Sequence, residues 1–366
     1  MSELSSRMKA LVQPTLVDFE PYDPNFSETK INLSANENTH AMPEQAKAAV
    51  LEALSAVELN RYPDPMANEL RAEIAKWHNV SPENVCVGNG GDELLFNFFV
   101  GFGGAGRTLL NCPPCFSEYD LFGSIVGTEI LNIERDAETF AIDEEAVLKA
   151  AEDVNLAIVT TPNNPTGDVV SVDFVDKLCD VCPGIVMVDE AYAEFNNPDY
   201  SCEPLLKKHD NLIILHTFSK AFGLAGVRCG YIIAASDIID VFAAVRQVYS
   251  VSSLTQAAAL AIVKNREAFR DVIDDIKSER ERIIAEISSL EGDGLPIHVW
   301  PSESNFYLLR IKNAAEVYKA LRDDYSILVR DFSSVPGLKD CLRIAVGTRA
   351  ENDELLAAIK SLLKGN

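Results

Sequence analysis

The stretch NLIILHTFSKAFGLAGVRCG, residues 211–230, decides the fold of this chain and the chemistry that the chain can carry. It starts with the apolar run Leu212–Leu215, which is typical of a buried strand, and passes through Thr217 to Lys220 into a glycine-punctuated turn with Arg228. A lysine beside a second cation in an apolar setting has a lowered pKa and can form a Schiff base with an aldehyde or ketone. From this stretch alone a second interpretation stays open, in which Lys220 is a strand-end cation that extends into solvent.

Length and charge restrict the classes of function. The chain has 366 residues, enough for more than one domain, and its formal net charge is −24. Such a negative field disfavours nucleic acid and anionic membranes as partners, so an anionic substrate needs locally placed arginines. No apolar segment has membrane-spanning length, and the N-terminal MSELSSRMKALVQ has no apolar core of a signal peptide. We therefore expect a cytoplasmic protein.

The eight cysteines do not form the pattern of a disulfide framework in a chain of this length. Two pairs, Cys112/Cys115 and Cys179/Cys182, have C-x-x-C spacing, which leaves a zinc or redox site open as an alternative. The first pair ends an apolar run with two prolines between the cysteines, and the second follows a helical pattern, so both contexts favour ordinary structural cysteines.

Apolar runs that alternate with helical patterns predict an α/β fold with a mostly parallel, doubly wound sheet. The predicted strands are VCVG (85–88), TLLNC (108–112), TEILNI (128–133), NLAIVTTP (155–162), GIVMVDEAY (184–192), NLIILHTF (211–218) and RCGYIIAA (228–235). A helical region at 236–290 is followed by the shorter strands NFYLLRI, SILVRDF and CLRIAVG. The prediction is an N-terminal arm (1–40) that joins the small domain, a large α/β domain (41–265) and a small α+β domain (266–366).

Polar clusters follow four of these predicted strands, where ligands bind in open α/β sheets. They are Gly88–Asp92, Asn163–Gly167, Asp189-Glu190 and Ser219-Lys220. Each cluster alone also fits an ordinary turn or a helix cap. Because parallel strand ends meet at one edge of a sheet, we expect the four clusters to line one crevice.

Together the clusters supply the groups that pyridoxal phosphate requires. The cofactor needs an amine for its aldehyde, an anion-binding helix N-terminus and an arginine for its phosphate, and a carboxylate that keeps its ring nitrogen protonated. The candidates for these tasks and for hydrogen bonds to the ring are Lys220, Gly91, Asp92, Ser219, Arg228, Asp189, Asn164 and Tyr192.

The ordered motifs of the chain resemble those of the fold type I pyridoxal-phosphate aminotransferases, most closely the histidinol-phosphate aminotransferases. The motifs are ANEN (35–38), RYPDP (61–65), GNGGDELL (88–95), CPP (112–114), NNPTG (163–167), VDEAY (188–192), TFSKAFGLAGVRCG (217–230), LVRDF (328–332) and CLRIAVGT (341–348). The resemblance implies the aminotransferase type I fold, with a large cofactor-binding domain and a smaller one.

The resemblance also implies a role for each cofactor residue. Lys220 would form the Schiff base and move the proton between substrate and cofactor, and Asp189 would pair with the pyridine nitrogen. The ring hydroxyl would be bound by Asn164 and Tyr192, and the phosphate by Gly91, Asp92, Thr217, Ser219 and Arg228. Phe116 stands where the family commonly stacks a tyrosine on the cofactor ring. Tyr62 would reach the phosphate of the neighbouring subunit, which implies a homodimer with shared sites.

For the substrate, the resemblance implies that Arg343 binds an anionic group and that Arg330 reads a substrate phosphate. Tyr22 and Asn36 match positions on the substrate side. The alternative for the two arginines is a pair of strand-borne surface cations. After Asn-Glu-Asn the family continues with proline, whereas this chain continues with Thr39-His40-Ala41.

The expected function is an amino transfer from histidinol phosphate to 2-oxoglutarate, which gives imidazole acetol phosphate and glutamate in histidine biosynthesis by a ping-pong cycle. One alternative keeps the cofactor and is an aromatic amino-acid aminotransferase or a lyase similar to threonine-phosphate decarboxylase. The other is a non-catalytic regulator that binds ligands with this fold, for which the sequence offers no basic DNA-binding segment.

Overall fold

The chain folds around one large sheet and one smaller sheet in the computed structural model, which describes residues 4–17, 27–292 and 294–365. The described strands are β1 (Ile31–Asn32), β2 (Val85–Gly88), β3 (Thr108–Asn111), β4 (Glu129–Asn132), β5 (Leu156–Thr160), β6 (Ile185–Asp189), β7 (Leu212–Thr217), β8 (Gly230–Ala234), β9 (Ile297–Val299), β10 (Phe306–Ile311), β11 (Ile327–Leu328), β12 (Arg330–Asp331) and β13 (Cys341–Ala345).

The first described α-helix precedes these strands, and the others fall between and after them. The helices are α1 (Ser6–Lys9), α2 (Glu44–Ser55), α3 (Asn68–His78), α4 (Gly91–Phe102), α5 (Glu118–Val126), α6 (Glu144–Ala151), α7 (Val172–Val181), α8 (Ser236–Val245), α9 (Ser253–Lys264), α10 (Arg270–Gly292), α11 (Ala314–Asp323) and α12 (Arg349–Gly365). The predicted helical region at 236–290 is therefore divided into α8, α9 and α10.

The large sheet has the strand order β2-β8-β7-β6-β5-β3-β4 and is mostly parallel, as the alternating pattern predicts. Only β8 runs antiparallel to its neighbours, β2 and β7. All six residues of β7 are buried, because helices cover both faces of the sheet. Ile213 packs on one face with Phe98 of α4, and Ile214 packs on the other with Phe174 of α7.

The second sheet is antiparallel and has the order β12-β13-β10-β9. The predicted strand SILVRDF is in fact two strands, because the backbone changes partners at Val329. Leu328 pairs with Asn32 of β1, whereas Arg330 pairs with Arg343 of β13. The parallel pair β1–β11 ties residues near the N-terminus to the C-terminal part of the chain, and the predicted domain boundaries stay a prediction.

The cysteines of the two C-x-x-C pairs are free thiols. Burial raises the pKa of Cys112 to about 11 and that of Cys115 and Cys179 to about 12. Thiolates are the nucleophilic and metal-binding form of cysteine, so these thiols are held in their unreactive form.

None of the helices in the described ranges is long and apolar enough to cross a membrane.

Candidate active site

A cavity of about 580 Å³ opens at the carboxyl ends of β5, β6 and β7. Its lining includes Gly91, Asn164, Asp189 and Lys220, one residue from each of the four polar clusters. The strand ends therefore converge as expected for an open α/β sheet. The volume suits a cofactor and a small substrate together.

Lys220 follows β7 and lines this cavity. Its Nζ donates a 3.0 Å hydrogen bond to the carbonyl oxygen of Ala35 and lies 5.8 Å from the ring centroid of Tyr192. Burial, and after it the positive charge of Arg343, lowers the pKa of Lys220 to about 8. The side-chain amine of Lys220 is therefore suited to carbonyl chemistry, and Lys220 is not a strand-end cation that extends into solvent.

Asp189 ends β6 and is buried. Its Oδ2 accepts a 2.6 Å hydrogen bond from the hydroxyl of Tyr119, and its Oδ1 accepts one of 3.0 Å from the backbone N–H of Ala191. Burial raises the pKa of Asp189, and these two hydrogen bonds act against that rise. Glu190, the next residue, is only 1% exposed, so the alternative in which it is a solvated side chain is wrong.

Tyr119 is a buried residue of the site that was not singled out from the sequence. It is fully buried in α5 and also bonds the Thr160 hydroxyl at 2.8 Å. The only local signal is the aromatic side chain three residues before it, Phe116, whose ring packs edge-on against it at 5.6 Å. Phe116 itself lines the cavity.

The N-terminus of α4 lies at one end of the cavity, and the backbone N–H groups of a helix N-terminus are suited to binding an anion. Gly90 precedes it with φ +85°, and a Cβ added there would lie 2.5 Å from Nη2 of Arg228. Arg228 also pairs with Asp92 at 2.9 Å. The backbone of Gly90 therefore has to lie directly against the arginine, which only glycine permits without strain.

Two hydroxyl groups complete this end of the cavity. The Thr217 hydroxyl donates to Oγ of Ser219 at 3.0 Å and accepts from the backbone N–H of Ser219 at 3.1 Å. Both residues line the cavity. Their contacts place two hydroxyls beside the helix terminus and the arginine.

The opposite side of the cavity joins the two sheets through hydrogen bonds. Arg343 donates from Nη1 to Oδ1 of Asn164 at 2.7 Å and from Nη2 to the Ser34 carbonyl oxygen at 2.6 Å. Asn36 donates from Nδ2 to the Tyr192 hydroxyl at 3.0 Å. Burial raises the pKa of Tyr192 to about 12, so its hydroxyl stays protonated.

The remaining substrate-side residues divide into three groups. Arg330 lines the cavity, as do two carboxylates that the sequence analysis did not single out, Glu37 and Glu118. Burial, and after it the charge of Asp92, raises the pKa of Glu118. Tyr22 falls outside the described residues.

Tyr62 does not line the cavity. Its side chain is 79% exposed and stacks on Tyr249, with ring centroids 4.5 Å apart. A role for Tyr62 at a cofactor therefore requires a second chain.

The residues in the cavity fit pyridoxal phosphate. The helix N-terminus, Arg228 and the two hydroxyls match its phosphate, the Lys220 amine matches its aldehyde, and the Asp189 carboxylate matches its ring nitrogen. Phe116 adds an aromatic ring to the lining of the cavity.

Comparisons with known proteins agree with this fit. The profile of a family described as "Aminotransferase class I and II" matches residues 28–359. A histidinol-phosphate aminotransferase of Caldanaerobacter subterraneus subsp. tengcongensis is 34% identical over 355 residues, which cover 96% of this chain and 99% of that protein.

Two solved structures also match. The histidinol-phosphate aminotransferase from Sinorhizobium meliloti, in complex with pyridoxal-5'-phosphate, superposes with a TM-score of 0.87 at 24% identity, covering 100% of both chains. The L-threonine-O-3-phosphate decarboxylase from Porphyromonas gingivalis has a TM-score of 0.79 at 26% identity, covering 91% of this chain and 99% of that one.

Proposed function

Because the chain belongs to the class I and II aminotransferase family and is a pyridoxal-phosphate-dependent transaminase, we propose that its amino donor is histidinol phosphate and its acceptor 2-oxoglutarate. The products are imidazole acetol phosphate and glutamate, formed by a ping-pong cycle in histidine biosynthesis. The similarity to a histidinol-phosphate aminotransferase over 96% of the chain supports this donor.

The observation that carries the proposal is the cross-strand pair of Arg330 and Arg343. They stand directly opposite each other on β12 and β13, and both line the cavity that contains Lys220. Arginine binds phosphate through charged, often bidentate hydrogen bonds. Two arginines in the lining of one cavity therefore suit a substrate that brings a doubly charged anion such as a phosphate ester.

The position of Glu118 supports the same donor, because it suits the imidazole end of histidinol phosphate. It lines the cavity together with Phe116 and Phe122, so the same cavity offers a carboxylate and two aromatic rings. An imidazole ring can pack against the aromatic side chains and donate an N–H to the carboxylate.

The cofactor supplies an electron sink that stabilises negative charge on the substrate carbon that loses its proton. In our proposal Lys220 accepts that proton at Nζ, because a pKa of about 8 leaves neutral amine available near neutral pH. Asp189 remains ionised and holds the proton on the ring nitrogen. Asn164 and Tyr192 bind the ring hydroxyl, and the side chain of Phe116 keeps the ring in place.

A homodimer with shared sites is the assembly that we propose. Tyr62 stacks on the exposed Tyr249, and the sequence neighbours Leu59 and Val248 are exposed apolar residues as well. In the dimer Tyr62 binds the cofactor phosphate of the partner subunit. A cytoplasmic location stays a prediction from the sequence.

The similarity to a threonine-phosphate decarboxylase supports a second candidate, a lyase that acts on another phosphorylated amino compound. Its substrate shares the phosphate, so Arg330 serves both candidates. A decarboxylase releases carbon dioxide and needs no keto acid, which separates the two.

Steady-state kinetics of Arg330→Ala test the proposal. We expect kcat/KM for histidinol phosphate to fall by about 10- to 100-fold, as for the loss of a charged hydrogen bond, and kcat/KM for phenylalanine to change little. The matched control is Lys312→Ala, which removes an exposed cation of the same region that does not line the cavity. An equal loss for both donors in Arg330→Ala would count against phosphate recognition at this residue.

A further inference from the structure

A second group of titratable side chains lies across the large sheet from the cofactor cavity. Successive residues of a strand point to opposite faces. Thr217 points into the cofactor cavity, and His216 just before it lies in a separate group with His78 and Glu203. The reaction proposed above uses none of these three residues.

The three side chains converge on one point. One potential ligand atom from each of His78, Glu203 and His216 lies within 4.8 Å of the others. Glu203 Oε2 is 2.9 Å from His78 Nδ1, and Glu203 Oε1 is 3.2 Å from His216 Nε2. A tetrahedral zinc ion with bonds of about 2.0–2.1 Å holds its ligand atoms about 3.4 Å apart, which is close to these separations.

Of the three residues, His216 is the one whose buried ring nitrogens are not satisfied by hydrogen bonds. It is 3% exposed, and within the described part of the chain neither of its ring nitrogens has a hydrogen-bond partner. The contact of Nε2 with Glu203 has the distance of a hydrogen bond without the required angles. Buried polar groups are almost always satisfied, so an imidazole aimed at a carboxylate in this way indicates a missing ligand.

His78 has the outer contact that metal-bound histidines usually make. Its Nε2 lies 2.8 Å from the hydroxyl of Tyr231, and its Nδ1 faces Glu203. A hydrogen bond from Nε2–H to the tyrosine oxygen leaves the Nδ1 lone pair directed at the shared point. His78 and Glu203 also line a groove of about 580 Å³ that includes Ser201 and Lys207, which gives an ion a path from solvent.

We propose that His78, Glu203 and His216 bind a zinc ion. Two imidazoles and one carboxylate form a donor set that zinc prefers over magnesium or calcium. Glu190 lies at the edge of the group, with its Oε2 4.0 Å from His216 Nε2, and water from the groove or this carboxylate completes the coordination.

The bound ion ties together parts of the chain that are distant in sequence. His78 ends α3, Glu203 begins a short 3₁₀ helix (Glu203–Lys207), and His216 lies in β7 one residue before Thr217. Zinc therefore stabilises the folded chain. It also fixes the end of β7, the strand that leads to Lys220.

The test is metal analysis of the holoenzyme. The protein is treated with a chelator, dialysed against zinc in the presence of excess magnesium, freed of unbound metal and measured by elemental mass spectrometry. We expect about one zinc per chain in the wild type and a higher melting temperature with zinc than without it. We expect both effects to be lost in Glu203→Gln and in His216→Ala.

Two controls keep the result interpretable. His298→Gln removes a half-exposed histidine that is bonded to Glu291 at 2.9 Å, a surface pair of the same kind, and should keep the zinc. Glu203→Gln preserves shape, so its cofactor absorbance reports whether it folds. No zinc retained by the folded wild type would overturn the proposal, and so would equal retention by wild type, Glu203→Gln and His216→Ala.

Discussion

The Tyr119 hydroxyl donates a 2.6 Å hydrogen bond to Oδ2 of Asp189, and both side chains are buried. Burial raises the pKa of Asp189, and this hydrogen bond, with that from the Ala191 N–H, opposes the rise. Tyr119 therefore helps to keep the carboxylate ionised, which is the state that holds a proton on the cofactor nitrogen.

Replacement of Tyr119 by phenylalanine should lower kcat by about tenfold, as for the loss of one hydrogen bond to a charged group. Without the hydroxyl, the pKa of Asp189 rises further. In an acid titration the carboxylate of the variant is therefore protonated at a higher pH than that of the wild type. The acidic limb of the kcat profile should therefore move to higher pH, which a pH series of initial rates measures.

Tyr307→Phe is the matched control. Tyr307 is equally buried, but its hydroxyl has no hydrogen-bond partner among the described residues. Its replacement should leave the acidic limb in place. An unshifted limb in Tyr119→Phe would show that Tyr119 does not tune Asp189.

The lowered pKa of Lys220 predicts how fast the apoenzyme captures its cofactor at each pH. Only the neutral amine attacks an aldehyde, and its fraction grows as the pH rises through the pKa. With burial and Arg343 lowering that pKa to about 8, the capture rate should reach its midpoint near pH 8, well below the ordinary lysine value of 10.5. Stopped-flow absorbance after mixing apoenzyme with pyridoxal phosphate measures this profile, and a midpoint above pH 9.5 would contradict it.

Gly90→Ala should weaken cofactor binding. The added Cβ would lie 2.5 Å from Nη2 of Arg228, at a φ of +85° that L residues rarely adopt. Displacement of the arginine from the phosphate should raise the Kd of pyridoxal phosphate by about tenfold or more. Gly226→Ala is the control, because it also lines the cavity but its Cβ would meet nothing within 4 Å. Fluorescence titration measures the Kd of pyridoxal phosphate for both variants, and equal values would show that Gly90 does not contribute to the phosphate site.

Mixing two inactive variants tests the shared site. Tyr62→Ala and Lys220→Ala are each expected to have little activity, but a mixed dimer has one site with both native residues. After unfolding and refolding in equal amounts, half of the dimers are mixed, so activity should return to about a quarter of the wild-type value. If Tyr62 acts in its own chain or not at all, the mixture will be no more active than the sum of its parts.

Much of the fold and the cofactor site could be predicted from local patterns. Continuous apolar runs such as Leu212–Leu215 lack the apolar–polar alternation of half-exposed strands and therefore identify strands that are buried on both faces. The residues that follow parallel strands of this kind meet at one edge of the sheet. For that reason Asn164, Asp189 and Lys220 could be placed in one crevice although they are far apart in sequence.

The parts that could not be predicted depend on tertiary contacts. Tyr119 lies in the first turn of α5 between Glu118 and Asp120, which in sequence is typical of an ordinary helix start, and only the tertiary fold brings its hydroxyl to Asp189. Likewise, the strand SILVRDF divides at Val329 because the two halves have different partner strands, which no local propensity encodes.

The group of His78, Glu203 and His216 shows the same limit. In the sequence each of the three is an isolated polar residue, and they come together only through tertiary packing, in which the short 3₁₀ helix Glu203–Lys207 contacts β7 and the end of α3 lies beside them.

A cofactor half-reaction tests the central claim most directly. Holoenzyme is mixed with histidinol phosphate and no keto acid, and the cofactor spectrum is followed through one turnover, beside phenylalanine, tyrosine and threonine phosphate. We expect a full spectral change that is fastest with histidinol phosphate and is reversed by 2-oxoglutarate. An unchanged spectrum with histidinol phosphate, or release of carbon dioxide from threonine phosphate without any keto acid, would contradict it.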